Sequence, residues 1–264
     1  MGVNLGKMAD RAKSFKAGGS GEDKKDNLFA KVTKEPQVFR MLEVNGDAWE
    51  TYHLHYLTKN GKTIASFLCP RKNFGEDCPV CDWATELFQK SKETGDETMK
   101  RQAIKMFANQ RWYSPVLVRG KEEDGPRIWS YSKTVAAELT RKFTNPDYGD
   151  LTDSETGTDL TVFHATAEGK LYPDTVIDPR RMPSKLAETA EEVQGIMSSI
   201  PNIMEQMRRL TRDEIQEKLD ESLGLNDAPP VEKNATQTPK GEDQPSSDPE
   251  ADEIDRKFAE LDEV

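Results

Sequence analysis

Four side chains in the first third of the chain have the types and spacing of a metal-ligand set: His55, Cys69, Cys78 and Cys81. Cys78-Pro79-Val80-Cys81 is a C-x-x-C knuckle, which lets two thiolates reach one ion from a single tight turn. Zinc takes four nitrogen or sulfur ligands tetrahedrally, and a Cys₃His set leaves no open position for water, so the expected role is structural. The set uses every cysteine in the chain. A redox pair is the alternative use of C-x-x-C, but it belongs before a helix in a βαβ context that this sequence lacks. His53 competes with His55, because residues two apart on a strand share a face.

A second group pairs rings with cations. Residues 100–142 hold ten basic and four acidic side chains. Within them Arg111, Arg119, Arg127 and Lys133 alternate with Trp112, Tyr113, Trp129 and Tyr131. Rings that stack on unpaired bases, beside cations that neutralise phosphates, are the chemistry of single-strand binding. Trp112 and Tyr113 face opposite ways on a strand, so burial of one is the alternative to its touching DNA. Lys62, Arg71 and Lys72 lie near the thiolates, where they offset negative charge and extend the cationic surface. His164 is the one histidine away from the metal set, and the sequence contains no Ser/His/Asp set, phosphate loop or paired-carboxylate motif. Binding without catalysis is the expectation.

The formal net charge of −11 argues at first against a polyanion partner. Its distribution reverses that. Residues 226–264 carry twelve acidic and four basic side chains, leaving a net of −3 for the rest. The first forty residues have a net of +4. Hydrophobic residues make up only 34% of the chain, so part of it stays out of any core. There is no apolar run of membrane-span or signal-peptide length, and the expected setting is a reducing cytoplasm.

These groups need elements to hold them. Residues 28–68 alternate as strands, and Lys59-Asn60-Gly61-Lys62 reads as a hairpin turn. Residues 79–109 read as two helices divided at Thr94-Gly95-Asp96. Strand character returns over 110–133, where Pro115 argues for an edge or an irregularity. A short helix follows at 134–143, then strands at 159–166 and 170–172. Helices fill 184–223, one of them starting at Pro201. After Pro229-Pro230 the composition is that of a disordered acidic tail.

The stretch from His55 through Cys69 to Cys78-Pro79-Val80-Cys81 resembles the zinc subdomain of the T-even-type bacteriophage single-stranded DNA-binding (helix-destabilising) proteins. Lys59-Asn60-Gly61-Lys62 follows His55 as in that family, which favours His55 over His53. Trp112-Tyr113 before Val116-Leu117-Val118, the strand Arg127-Ile128-Trp129-Ser130-Tyr131, and the acidic tail are similar too. The resemblance implies an α+β chain with an OB-fold-like β-barrel core. Residues 28–225 would form that core, with a zinc subdomain inserted at about 53–83 and helices after it. Residues 1–27 would be a basic arm and 226–264 a detachable tail.

It also implies coating of single-stranded DNA during replication, recombination and repair, in a host cytoplasm. Neighbouring copies would associate through Arg11, Lys13 and Lys16, which are more widely spaced here than in the family's basic cluster. Ile254, Phe258 and Leu261 recur at helical spacing in the tail and would dock on replication and recombination proteins. The rival reading is a zinc-containing transcription or interaction factor that grips duplex DNA or protein.

Overall fold

The structure, a computed structural model, describes residues 28–166, Gly169 and 172–225. The expectations for the arm at 1–27 and the tail at 226–264 lie outside the described residues. The described chain divides into two compact units, 28–52 with Gln110–Gln206 and His53–Asn109 with 207–225.

The first unit is built on a sheet. Its strands are β1 (Phe29–Ala30), β2 (Gln37–Met41), β5 (Asn109–Val118), β6 (Arg127–Tyr131), β7 (Leu160–Ala165) and β8 (Asp174–Pro179). Their order is β1-β6-β5-β2-β7-β8, antiparallel except for the short β1–β6 pair. The two end strands do not pair, so the sheet is open; the closed barrel expected from the resemblance is not formed by this pairing. β8 begins at Asp174; of the strand expected at 170–172, residues 170 and 171 lie outside the described residues and Tyr172 is not in a strand.

One face of the sheet carries the main core. Phe39, Met41, Val116, Trp129, Leu160 and Val162 pack there with Leu139 of helix α4 (Lys133–Phe143). On the opposite face Leu42, Leu117 and Leu186 form a smaller cluster. Val193, Ile196 and Ile200 cover it, the first two from helix α5 (Ala190–Ser198). Pro115 is not on an edge: it sits in β5, opposite Ile128 of β6. Its carbonyl accepts from Leu42 N–H at 3.0 Å, so its nitrogen faces the same way, just past Met41 where β2 ends. The missing donor therefore leaves the Leu42–Pro115 pair with one bond instead of two, at the end of the β2–β5 ladder. Pro201 precedes rather than starts the next helix, α6 (Ile203–Gln206).

The second unit begins with the hairpin of β3 (Glu50–Lys59), from His53 onward, and β4 (Lys62–Leu68). Asn60 and Gly61 take φ of 52° and 74°, the left-handed pair that a two-residue turn needs. Helices α1 (Pro70–Phe74), α2 (Pro79–Thr94) and α3 (Glu97–Met106) follow. Gly95 ends α2 in the left-handed conformation, and the Asp96 side chain caps α3 by accepting from Thr98 and Met99 N–H. Helix α7 (Arg212–Leu223) returns to this unit from the far end of the chain. Its capping box, Thr211 with Glu214, fixes its start, and Ile215 and Leu219 pack with Leu57, Phe67, Val80 and Ala84.

Candidate metal centre and nucleic-acid interface

The two helix starts of the second unit bring the cysteines together. Cys69 is the N-cap of α1 and Cys78 the N-cap of α2, each followed by a proline at the first helical position. Cys81 lies in the first turn of α2. Backbone N–H groups at such termini favour negative sulfur, and Lys72 N–H reaches Cys69 Sγ at 3.4 Å. His55 comes from β3.

The ligand atoms of His55, Cys69, Cys78 and Cys81 all lie within 4.8 Å of one another, and all four residues are buried. Cys69 Sγ is 3.5 Å from Cys81 Sγ, and His55 Nε2 is 3.4 Å from both Cys78 and Cys81 Sγ. A tetrahedral zinc with bonds of about 2.0–2.3 Å has ligand–ligand edges of roughly 3.5–3.8 Å, so the cluster fits that ion. His55 Nδ1 donates to the Met106 carbonyl at 2.9 Å, which leaves the Nε2 lone pair for the centre. His53 is not part of the cluster. Its carbonyl accepts from Cys69 N–H and its ring is half-buried, held below the ordinary imidazole range by burial and then by Lys72.

The electrostatics of the cluster also call for a cation. Hydrogen bonds from Cys69 and Cys81 hold Cys78 far below the ordinary thiol range, while those with Cys69 and Cys78 drive Cys81 far above it. Three sulfurs in one buried pocket cannot all ionise without a positive centre. Burial alone would lower the imidazole of His55, yet hydrogen bonds with Cys69 and Cys78 raise it to about 9. A bound dication would supply the missing charge. Just outside, Arg71 pairs with Asp82 at 2.5 Å, while Lys62 and Lys72 are exposed.

The ring-and-cation group is arranged differently from the sequence expectation. Tyr113, Trp129 and Tyr131 are 3%, 2% and 3% exposed, so as placed they offer no face to a base. The register explains this. Trp112 is opposite Tyr131, and Ser114 is opposite Trp129, on the face that the main core covers. Trp129 lies against Phe39 and Tyr131, with ring centroids 5.5 and 4.7 Å away. Tyr113 points to the other face and meets Tyr52 at 5.8 Å. Tyr131 hydroxyl donates to Ser114 Oγ at 2.7 Å, and Ser114 hydroxyl donates to the Ala48 carbonyl at 2.8 Å. Of the four rings, Trp112 alone remains half-exposed.

The cations divide similarly. Arg119 is committed to Asp159, at 3.1 Å from Nε and 3.2 Å from Nη2, and to the carbonyls of Lys185 and Leu186. It is a structural clasp rather than a free phosphate ligand. Arg127 pairs with Asp124 at 2.5 Å. Arg111 donates to Ser130 Oγ at 3.1 Å and is half-exposed, and Lys133 is exposed at the start of α4.

Asp159 and Arg40 went unnoticed in the sequence. Arg40 is fully buried, with Nε 3.5 Å from Asp159 Oδ1 and Nη2 donating to the Ser184 carbonyl. Burial lowers its pKa, with Asp159 opposing. The available signal was an arginine inside the apolar run Val38-Phe39-Arg40-Met41-Leu42, which requires a buried partner. A hollow of about 540 Å³ in the same unit is lined by Glu43, Glu50, Tyr52, Met197 and Met204 among others, with no cation in its wall. Its charge repels phosphate.

Residues 37–222 match the family described as gp32 DNA binding protein like. Comparison with curated proteins finds no match.

Proposed function

This chain belongs to the gp32-like DNA-binding protein family, and on that premise we propose that it coats single-stranded DNA without sequence preference and catalyses nothing. The family match carries the reading, because it runs from β2 to α7 and so takes in both compact units. The Cys₃His cluster agrees with it. His55, Cys69, Cys78 and Cys81 would hold a zinc ion that ties the β3–β4 hairpin to α1 and α2, supplying rigidity rather than reactivity.

In this reading Trp112 offers the half-exposed ring of the β5–β6 pair, while Arg111, Lys133, Lys62 and Lys72 meet phosphates. The acidic residues of 226–264 compete with DNA for those cations, and Ile254, Phe258 and Leu261 engage replication and recombination proteins once DNA displaces the tail. Arg11, Lys13 and Lys16 serve contacts between neighbouring copies.

The deciding experiment is a titration of the full chain with an oligothymidine strand and with a duplex of equal length, followed by tryptophan emission at several salt concentrations. The expected result is quenching by the single strand, weakening steeply with salt, and much poorer duplex binding. Equal or stronger duplex binding would favour the transcription-factor or interaction-factor reading.

A further inference from the structure

The four residues of the Cys₃His cluster are buried, so the second unit has to open for a metal ion to enter or leave. Most of the wall is firmly held. His55 sits in the β3–β4 hairpin, Cys81 lies inside α2, and Val80, Ala84, Ile215 and Leu219 pack in one cluster with the thiolates. The connection between α1 and α2 is different. Gly75, Glu76 and Asp77 are all exposed, whereas Cys78 immediately after them is buried.

A hollow of about 550 Å³ lies at this connection, lined by Pro70, Glu76, Asp77, Arg209, Leu210 and Arg212 among others. Pro70 directly follows Cys69 and Asp77 directly precedes Cys78, so the hollow adjoins the chain beside two of the three thiolates. Two ion pairs cross it. Arg209 Nη2 reaches Glu76 Oε1 at 2.6 Å, and Arg212 Nη1 reaches Asp77 Oδ2 at 3.1 Å. The Arg209 guanidinium also lies over the Phe74 ring, 4.1 Å from its centroid. Arg212 stands in the first turn of α7, where the helix dipole disfavours a cation, and its pairing with Asp77 offsets that.

The segment that carries these arginines is anchored independently of them. Leu68 N–H donates to the Arg208 carbonyl at 2.9 Å, Leu210 is buried with Cys69 and Cys78, and Thr211 caps α7. Breaking the two pairs therefore frees the α1–α2 connection without unseating α7. All four charged side chains are exposed, a setting in which ion pairs are weak and screened by salt. Opening there is cheaper than unfolding the unit.

We propose that this hollow is the route by which metal reaches the Cys₃His site, with Arg209–Glu76 and Arg212–Asp77 as a clasp that sets the rate of metal exchange. The proposal rests on the zinc reading of the cluster. A clasp slows entry and exit alike, so releasing it speeds both and leaves the equilibrium affinity where it was. Loss of a merely stabilising contact speeds exit alone and weakens affinity.

The test follows zinc release from the full, zinc-loaded chain to an excess of a chromogenic chelator, at low and at high salt. Arg209→Ala with Arg212→Ala is expected to release zinc between about 2-fold and about 30-fold faster than wild type at low salt, the combined effect of two exposed ion pairs. Zinc affinity from competition titration stays at the wild-type value. Salt accelerates release from wild type and has much less effect on the double variant. Arg209→Glu alone speeds release, and adding Glu76→Arg restores the slow rate. Release from the double variant at the wild-type rate would overturn the clasp while leaving the zinc reading standing. So would faster release matched by an equal loss of affinity, which would assign the pairs to stability. A wild-type chain that binds no zinc removes both.

Discussion

The imidazole of His55 donates from Nδ1 to the carbonyl of Met106, at 2.9 Å, across the second unit. Met106 is the last residue of α3, so this bond fixes the tautomer of the proposed ligand and anchors the end of that helix. A metal bound at this site would thereby be linked to the folding of this unit.

Purified protein is expected to carry a single zinc ion and no reactive thiols. Chelation should lower the melting temperature and speed amide exchange in α1, α2 and the end of α3, because metal-binding energy in such sites is folding energy. Acidification should release the ion as protons compete for the thiolates. Unchanged melting after verified metal removal would refute a structural role.

Asp159 serves two buried or half-buried guanidinium groups, Arg40 and Arg119. Asp159→Ala should cost about 3–5 kcal/mol in denaturant unfolding, since it strands buried positive charge. Adding Arg40→Met to that variant should recover part of the loss. Gly157→Ala belongs to the same locus: a Cβ there would meet the Asp153 carbonyl oxygen at 2.3 Å and Arg40 Nη1 at 2.8 Å. It should destabilise without touching any DNA contact named above.

Trp129 and Trp112 should separate stability from binding. Trp129→Ala is expected to cost about 3–5 kcal/mol of stability, as deletion of a buried ring does. Trp112→Phe should remove more of the DNA-induced emission change than Trp129→Phe. The opposite ranking of the two phenylalanine variants would show that the core ring becomes accessible on binding.

Deleting residues 226–264 removes a net charge of −8. Single-strand affinity should rise at low salt, and the difference should shrink as salt screens the competition. Equal affinity of the truncated and full chains would dismiss the tail as a DNA competitor.

Much of the candidate metal site was legible before any coordinates. C-x-x-C spacing, an upstream cysteine and an Asn-Gly hairpin are local signals, and each depends on residues a few positions apart. The Asn60-Gly61 turn and the division of α2 from α3 at Gly95 fall where the sequence put them, for the same reason. The β7–β8 connection and the start of α6 were less legible, because Leu171, Tyr172, Pro201 and Asn202 carry no periodicity that fixes an element boundary.

Residue chemistry and short-range spacing determined the ligand types, the segregation of charge and most strands and helices. Tertiary structure decided between His53 and His55, which share a strand face and differ only in what approaches them. It also decided that Tyr113, Trp129 and Tyr131 are core and that Arg119 is spent on Asp159. A strand pattern tells which side chains share a face, but burial depends on what long-range packing lays over that face. Here that covering comes from α4, which follows β6 directly, and from Tyr52 and residues 184–186, which are far away in sequence.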